Sequence, residues 1–477
     1  MLAAERLSAS DSVRPQSTEG CTNRTPPNMN TTSVAGIAFR LTNDSERVKK
    51  PNTKVRTKRD LSGAYFHLFA AALLVNLYVL CLHVVFNSFK DPNFLACMAT
   101  GNIFVAILVR NELFLNVLYR ILVKIFSLSQ VPITIKNGVT SALLHIGGIH
   151  AGCAVASVVW LTVDVFHPLS TGSVDRHWVI LPLGSVILLF LTIMCIMSLP
   201  SIRDRSHDLF EFTHRFLGWS TLLLLWGYAL LTVNWSAETA ESGLFVATTK
   251  NISLWLTVSI TALILLPWLT VQKVQVQARV QSQSIIEITF PGGSQPGMFG
   301  RISHRALADW HAFALISGET MAESHMMIIS GVGDFTKGLI TTPPATLYVR
   351  RLKFPGLPYC VPMYHRSIII ATGAGMAPYL SLLSILPRGS HRLIWVGRSF
   401  REYFGNKLCE IALQWPDLVL VDTANGGRPD MIALAVDNYR SFGADAVFVG
   451  SNPEGTRQIV SGCRALGIPA FGPSWDS

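Results

Sequence analysis

Ile368-Ile369-Ile370-Ala371-Thr372-Gly373-Ala374-Gly375-Met376-Ala377-Pro378 is an apolar run that ends in a Gly-x-Gly turn. A run of β-branched and small apolar residues is what a strand buried on both faces looks like. Glycines beyond such a strand let the backbone approach a pyrophosphate, whose charge the start of a following helix favours. A lone Gly-x-Gly also serves ordinary tight turns, so context decides. The spacing predicts a strand over Ser367–Ala371, a loop over Thr372–Pro378 and a helix over Tyr379–Leu386. Further strands are expected at 393–396, 418–422 and 446–449, with helical patterns between them. Residues 363–477 therefore read as a doubly wound α/β nucleotide-binding domain.

Working back toward the N-terminus, the pattern changes. From Val274 to Phe290 apolar and polar residues alternate, leading into the Gly/Pro-rich turn of Pro291 to Gly297. Short strand runs follow at 311–317, 326–330 and 346–350, so 273–362 reads as a small antiparallel barrel.

Residues 61–272 carry six apolar runs, at about 62–88, 94–118, 138–163, 177–199, 208–233 and 251–271, each near the length a bilayer demands. Arg110 and Glu112 interrupt the second, which predicts an end near 110 and an interfacial continuation. The basic stretch Arg47 to Arg59 precedes the first run and argues for a cytoplasmic N-terminus. Alternation then places Arg120, Lys124, Lys136, Arg203, Arg205, Lys273 and Arg279 inside, while the loops around 89–93, 164–176 and 234–250 carry few cations. The expectation is a multi-pass integral membrane protein with both termini cytoplasmic. Asn234 and Asn251 sit in Asn-x-Ser sequons at the outer side. Residues 1–60 are polar, without apolar period, and read as a disordered cytoplasmic tail. No secretory signal peptide is visible before Leu61.

Composition agrees with a lipid solvent. Of 477 residues 50% are hydrophobic and only 14% charged, against about a quarter charged in ordinary soluble domains. The net charge of +10 does not form a stripe suited to nucleic acid; the cations sit in the N-terminal tail and at the ends of apolar runs. The 8 cysteines show no Cys-x-x-Cys pair and read as reduced thiols rather than a disulfide framework or zinc site.

The order of these features, with Trp310-His311-Ala312-Phe313-Ala314 in the barrel and Gly450-Ser451-Asn452-Pro453 after a late strand, resembles the ferric reductase and NADPH oxidase superfamily. Together with the terminal Phe471-Gly472-Pro473-Ser474-Trp475-Asp476-Ser477 it looks most like the fungal TmpA-type membrane flavoproteins. The resemblance covers about residues 60–477. It implies a six-helix transmembrane bundle followed by a ferredoxin-NADP reductase-like module that binds FAD and NADPH or NADH.

Carried over residue by residue, His311-Ala312-Phe313-Ala314 matches a His-Pro-Phe-Thr flavin motif, with His311 near the FAD and Phe313 beside its ring. Ala314 lacks the usual hydroxyl, and the plain reading of the segment is a buried strand with an ordinary histidine. Gly333-Asp334-Phe335-Thr336-Lys337 matches a second flavin element, with Thr336 at the pyrophosphate. Gly373, Gly375 and Pro378 hold the nicotinamide nucleotide. Arg398 and Arg401 suit a 2′-phosphate, since a planar guanidinium matches phosphate oxygens; a solvated loop would look the same. Gly450 and Pro453 frame Ser451, which stands where the family has a cysteine near the nicotinamide, and Asn452 stands where it has a glycine. Trp475 takes the place of the terminal aromatic that covers the flavin.

The superfamily also holds two haems between four histidines on the third and fifth spans. Here His145, His150 and His214 all fall in the cytoplasmic halves. Four turns outward stand Val159, Gly227 and Tyr228, so the outer pair is missing. One inner haem b on His214 with His145 or His150 and no haem at all both stay open. Two functions follow: a membrane-anchored NAD(P)H-dependent flavoprotein oxidoreductase passing electrons to an unidentified acceptor, or a redox-sensing membrane flavoprotein, favoured by the eroded motifs. The plasma membrane is the location the resemblance implies.

Overall fold

The computed structural model describes residues 63–86, 93–171, 177–239, 243–307, 309–317 and 324–473. The tail expected to be disordered, Cys21 and Trp475 lie outside these. Nine principal helices come first in the described residues: α1 (Ala64–Val85), α2 (Phe94–Leu108), α3 (Glu112–Phe126), α4 (Ile133–Leu144), α5 (Gly147–Thr171), α6 (His177–Met197), α7 (His207–Thr239), α8 (Leu244–Lys250) and α9 (Ile252–Leu269). By length and composition 5 of them could cross a membrane, or 6 if α2 and α3 count as one bent span.

Small residues let these helices approach. A Cβ on Gly152 would come within 2.7 Å of the Phe69 carbonyl oxygen of α1, and one on Gly148 would collide with that of Tyr65. A polar knot ties three helices: Asn102 Nδ2 and Trp160 Nε1 both donate to Asn76 Oδ1, at 2.7 and 2.8 Å.

Two of the six apolar runs are broken. At 109–111 the chain turns by 70° between α2 and α3. Asn111 makes the turn cheap: its Oδ1 accepts from Leu113 N at 2.9 Å as the N-cap of α3, and its Nδ2 donates to Leu263 O at 3.0 Å. The run 138–163, expected as one span, is also broken. His145 leaves helical geometry at φ −116°, ψ 20°, and α5 starts only at Gly147. Gly147 and Gly148 favour the break, and tertiary bonds hold α4 aside. Lys136 Nζ donates to Met363 O at 2.8 Å, and the Thr140 and Tyr364 hydroxyls bond at 2.9 Å.

Strands β1 (Val271–Gln275), β2 (Gln277–Ser282), β3 (Ile285–Pro291), β4 (Met298–Ser303), β5 (His311–Ala314), β6 (Ile316–Ser317), β7 (Ser324–Ser330), β8 (Thr346–Arg350) and β9 (Phe354–Pro355) form two antiparallel sheets. Their orders are β1-β8-β4-β5, with β9 beside β4, and β2-β3-β7-β6. The alternating stretch from Val274 to Phe290 falls into three strands, because the polar Gln283-Ser284 turns the chain into the β2–β3 hairpin. Ile286, Ile288, Met298, Ile302, Met327 and Leu347 fill the space between the sheets. Helix α10 (Asp334–Thr341) follows β7.

The remaining strands, β10 (Ser367–Thr372), β11 (His391–Gly397), β12 (Leu418–Asp422), β13 (Ala446–Gly450) and β14 (Ala470–Phe471), are all parallel, in the order β12-β11-β10-β13-β14. Helices α11 (Ala377–Leu380), α12 (Phe400–Leu413), α13 (Met431–Phe442) and α14 (Pro453–Ala465) belong to this domain. The helix expected over Tyr379–Leu386 is shorter and irregular: α11 is flanked by 3₁₀ turns at Gly373–Met376 and Ser381–Ser384. Met376, Ala377, Tyr379, Leu380 and Leu382 are all buried, so no polar face sustains a regular amphipathic helix.

Candidate nucleotide and flavin site

The sheet changes direction between β10 and β13, and a ligand crevice forms outside the carboxyl ends of strands at such a point. Here the two loops touch backbone to backbone. A Cβ on Gly375 would overlap the Gly450 carbonyl, and one on Gly450 would overlap that of Gly375. Gly373 does something different. It takes φ +56°, a conformation L side chains rarely adopt, borders open space, and its carbonyl accepts from Trp395 Nε1 at 2.9 Å. The Thr372 and Ser451 hydroxyls, at the ends of β10 and β13, bond at 2.6 Å. Asn452 and Pro453 start α14: Asn452 Oδ1 accepts from Gly455 N at 2.8 Å, and Pro453 needs no partner in the first turn. Pro378 plays the same part in α11.

Beyond β11, Arg398 and Arg401 are both exposed. Ser399 between them takes φ 45°, the one positive φ outside glycine among the described residues, and its amide donates to Asp422 Oδ1 at 3.1 Å. That oxygen also accepts from Ala424 N at 2.9 Å. The nearest strand-end carboxylate thus serves backbone amides, and the loop offers guanidinium groups. Arg401 NH1 donates to Asn406 Oδ1 at 3.2 Å.

In the barrel, β5 carries His311 and Phe313 on one face. Phe335, in the first turn of α10, stacks on His311 with ring centroids 3.9 Å apart and lies 6.4 Å from Phe313, nearly parallel to both. The two segments quoted from the sequence are therefore brought together by a residue that was not singled out, although an aromatic just inside a Gly-Asp helix start was its signal. Burial pulls the His311 pKa down, against the opposing pull of Asp309 and Glu211. Ala314 pairs with Phe299 of β4. The Thr336 hydroxyl is occupied locally: it accepts from the amides of Val332 and Gly333, both at 3.0 Å, closing the turn that starts α10. Gly333 itself borders open space. An open margin beside an aromatic wall fits a flavin. The glycine loop packs on this barrel through Met376 and Ala377 against Ile316, Met326 and Ile328.

The N-terminal part of α7 meets the segment that leads into β5. Arg215 pairs with Asp309 at 2.6 Å, and Arg350 stacks over the Trp310 ring at 4.7 Å. His150 and His214 face each other with ring centroids 6.4 Å apart and planes at 50°. His150 Nδ1 donates to Ala106 O at 2.8 Å, so Nε2 is the ring nitrogen left to accept or to ligate. His145 instead bonds Ser141 O at 2.8 Å at the end of α4. Two imidazoles at this separation suit a single metal centre, each bond being about 2 Å, and a haem iron asks for no more than two. Among the described residues no cluster of three or more His, Cys, Asp or Glu could hold a bare metal ion. Where the outer histidines would stand, the Tyr228 hydroxyl donates to a buried Asp164.

Of the sequons, Asn251 is buried and caps α9 by accepting from Leu254 N at 2.9 Å, which closes it to glycosylation. Asn234 lies within α7, its amide on Glu238 Oε1 at 2.7 Å. Among the described residues, Cys81, Cys153, Cys195, Cys360, Cys409 and Cys463 are free thiols.

Residues 357–477 match the family described as the C-terminal domain of adenylate-forming reductase 03009. Adenylate-forming reductase 03009 of Coprinopsis cinerea is 33% identical over 443 residues, 91% of this chain and 42% of that protein. Adenylate-forming reductase 06235 of the same fungus is 32% identical over 431 residues, 88% of this chain and 41% of that protein. The chain thus spans about two fifths of the length of these relatives. Among solved structures, the ferredoxin reductase in carbazole 1,9a-dioxygenase matches at 16% identity and TM-score 0.34, over 43% of this chain and 70% of that one. The Amycolatopsis cytochrome P450 reductase GcoB matches at 13% identity and TM-score 0.33, over 43% and 71%.

Proposed function

We propose that the chain is a membrane-anchored NAD(P)H-dependent flavoprotein oxidoreductase, with FAD against the β5–α10 aromatic wall and the nicotinamide nucleotide at the β10–β13 crevice. The observation that carries this reading is the Gly375–Gly450 backbone contact, which draws two strand ends together and leaves Gly373 facing open space. When bound, the nicotinamide supplies a hydride and the flavin passes its electrons onward. The chain's own groups bind and orient. With Thr372 and Ser451 bonded to each other, one hydroxyl hydrogen remains to donate to a carboxamide. Arg398 and Arg401 favour NADPH over NADH. Trp475 is assigned the covering role.

The finer family reading stays with the ferric reductase and NADPH oxidase superfamily and its TmpA-type branch, supported by the order of motifs. The relatives' names support reductase chemistry. Anchoring is supported by α1, α5, α6, α7 and α9, whose lengths and hydropathy suit a bilayer, and by outward apolar residues such as Leu74, Tyr78, Leu189, Leu223 and Leu230. On this reading both termini are cytoplasmic and the membrane is the plasma membrane. A second reading adds one inner haem on His150 and His214, favoured by their facing geometry.

Expression followed by alkaline carbonate extraction and detergent purification tests both halves. The expected result is a carbonate-resistant protein carrying one FAD per chain. Extraction into the soluble fraction would remove the anchor, and a flavin-free protein after FAD supplementation would remove the enzyme. A Soret band lost in His214→Ala would establish the haem.

A further inference from the structure

We propose that α3 is an in-plane helix on the membrane surface, with one face built into the reductase module and the opposite face resting on lipid. This deepens the anchored reading above and rests on it. The inward face is settled: Leu115, Leu118 and Tyr119 of α3 pack with Leu357, Cys360 and Val361, in the core that continues into the α/β domain. Two polar ties fix the helix to the barrel. Glu112, in its first turn, pairs with Arg301 at 2.5 Å, and Asn116 Nδ2 donates to Lys353 O at 2.6 Å.

The outward face is apolar where a water-facing helix would be polar. Leu113, Val117, Ile121 and Ile125 recur every fourth residue and are 45%, 52%, 51% and 49% exposed. Arg120 and Lys124, both exposed, flank that stripe. Arg120 also reaches Gln295 Oε1 at 3.5 Å, and an apolar stripe edged by cations is what sits at the boundary between acyl chains and anionic headgroups. The occupant follows from continuity. Only residues 109–111 separate α3 from α2, an apolar helix that reaches span length only together with α3, and the 70° bend turns α3 off the direction of α2. Whatever surrounds the inner end of α2 also meets α3.

The test places a photoreactive benzoylphenylalanine at Val117 or Ile121 in the full chain, in nanodiscs of phosphatidylcholine and phosphatidylserine. Leu74 and Leu223, exposed on α1 and α7, serve as span controls. Retained flavin shows that each variant folds. Lipid adducts at all four positions are the expected result. Adducts at Leu74 and Leu223, with Val117 and Ile121 unreacted or joined to a second polypeptide, would overturn the surface helix and leave the anchor standing. No lipid adduct anywhere would overturn the anchored reading itself.

Discussion

Gly375 is the residue at which a single methyl group says most. Its Cβ would enter the Gly450 carbonyl, so Gly375→Ala must push the β10 and β13 loops apart. NADPH saturation of flavin reduction is expected to weaken at least tenfold, on the order of 1.4 kcal/mol or more, while FAD content changes far less because the aromatic wall is built from β5 and α10. Arg398→Ala and Arg401→Ala act on a different term. If both guanidinium groups meet the 2′-phosphate, each loses a charge-assisted bond, and the NADPH-to-NADH preference in kcat/KM falls on the order of tenfold per arginine; an unchanged ratio would assign the loop to solvent. At this scale the Gly-x-Gly was legible and its division of labour was not. Gly373 owes its place to a positive φ, which a turn pattern hints at. Gly375 owes its place to a residue on another strand, as does the Thr372–Ser451 hydroxyl pair, and no local pattern reports such contacts.

Elements were legible where one face or both were uniformly apolar. The runs that became α1, α6, α7 and α9, and the buried strands β10, β11 and β13, follow from hydropathy alone. The break after α2 was announced by Arg110 and Glu112, two charges inside an apolar run. The break at His145 was not, because Lys136 and Thr140 draw α4 onto Met363 and Tyr364, far along the chain. Phe335 shows the same limit, since it starts a helix and its partners His311 and Phe313 lie on strand β5. The junction makes its own prediction. The Glu112 side chain is 5% exposed and pairs with Arg301, with Arg350 at 3.9 Å. Removing one partner of a buried pair strands the other charge, so Glu112→Gln is expected to destabilise the chain by about 3 kcal/mol. Thermal unfolding in detergent reads this as a lowered midpoint; an unchanged midpoint would mean that the bracket between α3 and the barrel bears no strain.

For the whole molecule, acid is the weak side. His325 and His391 are buried on the barrel and the α/β domain, and burial holds each pKa down to about 4. Unfolded histidines titrate near 6.5, so between those values the unfolded chain binds more protons and stability falls as pH falls. Each site contributes up to about 3 kcal/mol, fully present above pH 6.5 and lost progressively toward pH 4. His325→Gln should flatten this slope in melting curves taken across that range. Both proposed nucleotide sites depend on this folded pair of domains working together. Anaerobic stopped-flow of the detergent-purified chain with NADPH and with NADH tests this most directly. The expected result is bleaching of the bound flavin within the mixing experiment, faster with NADPH; flavin that stays oxidised at saturating concentrations of both nucleotides would rule out hydride transfer between the two sites.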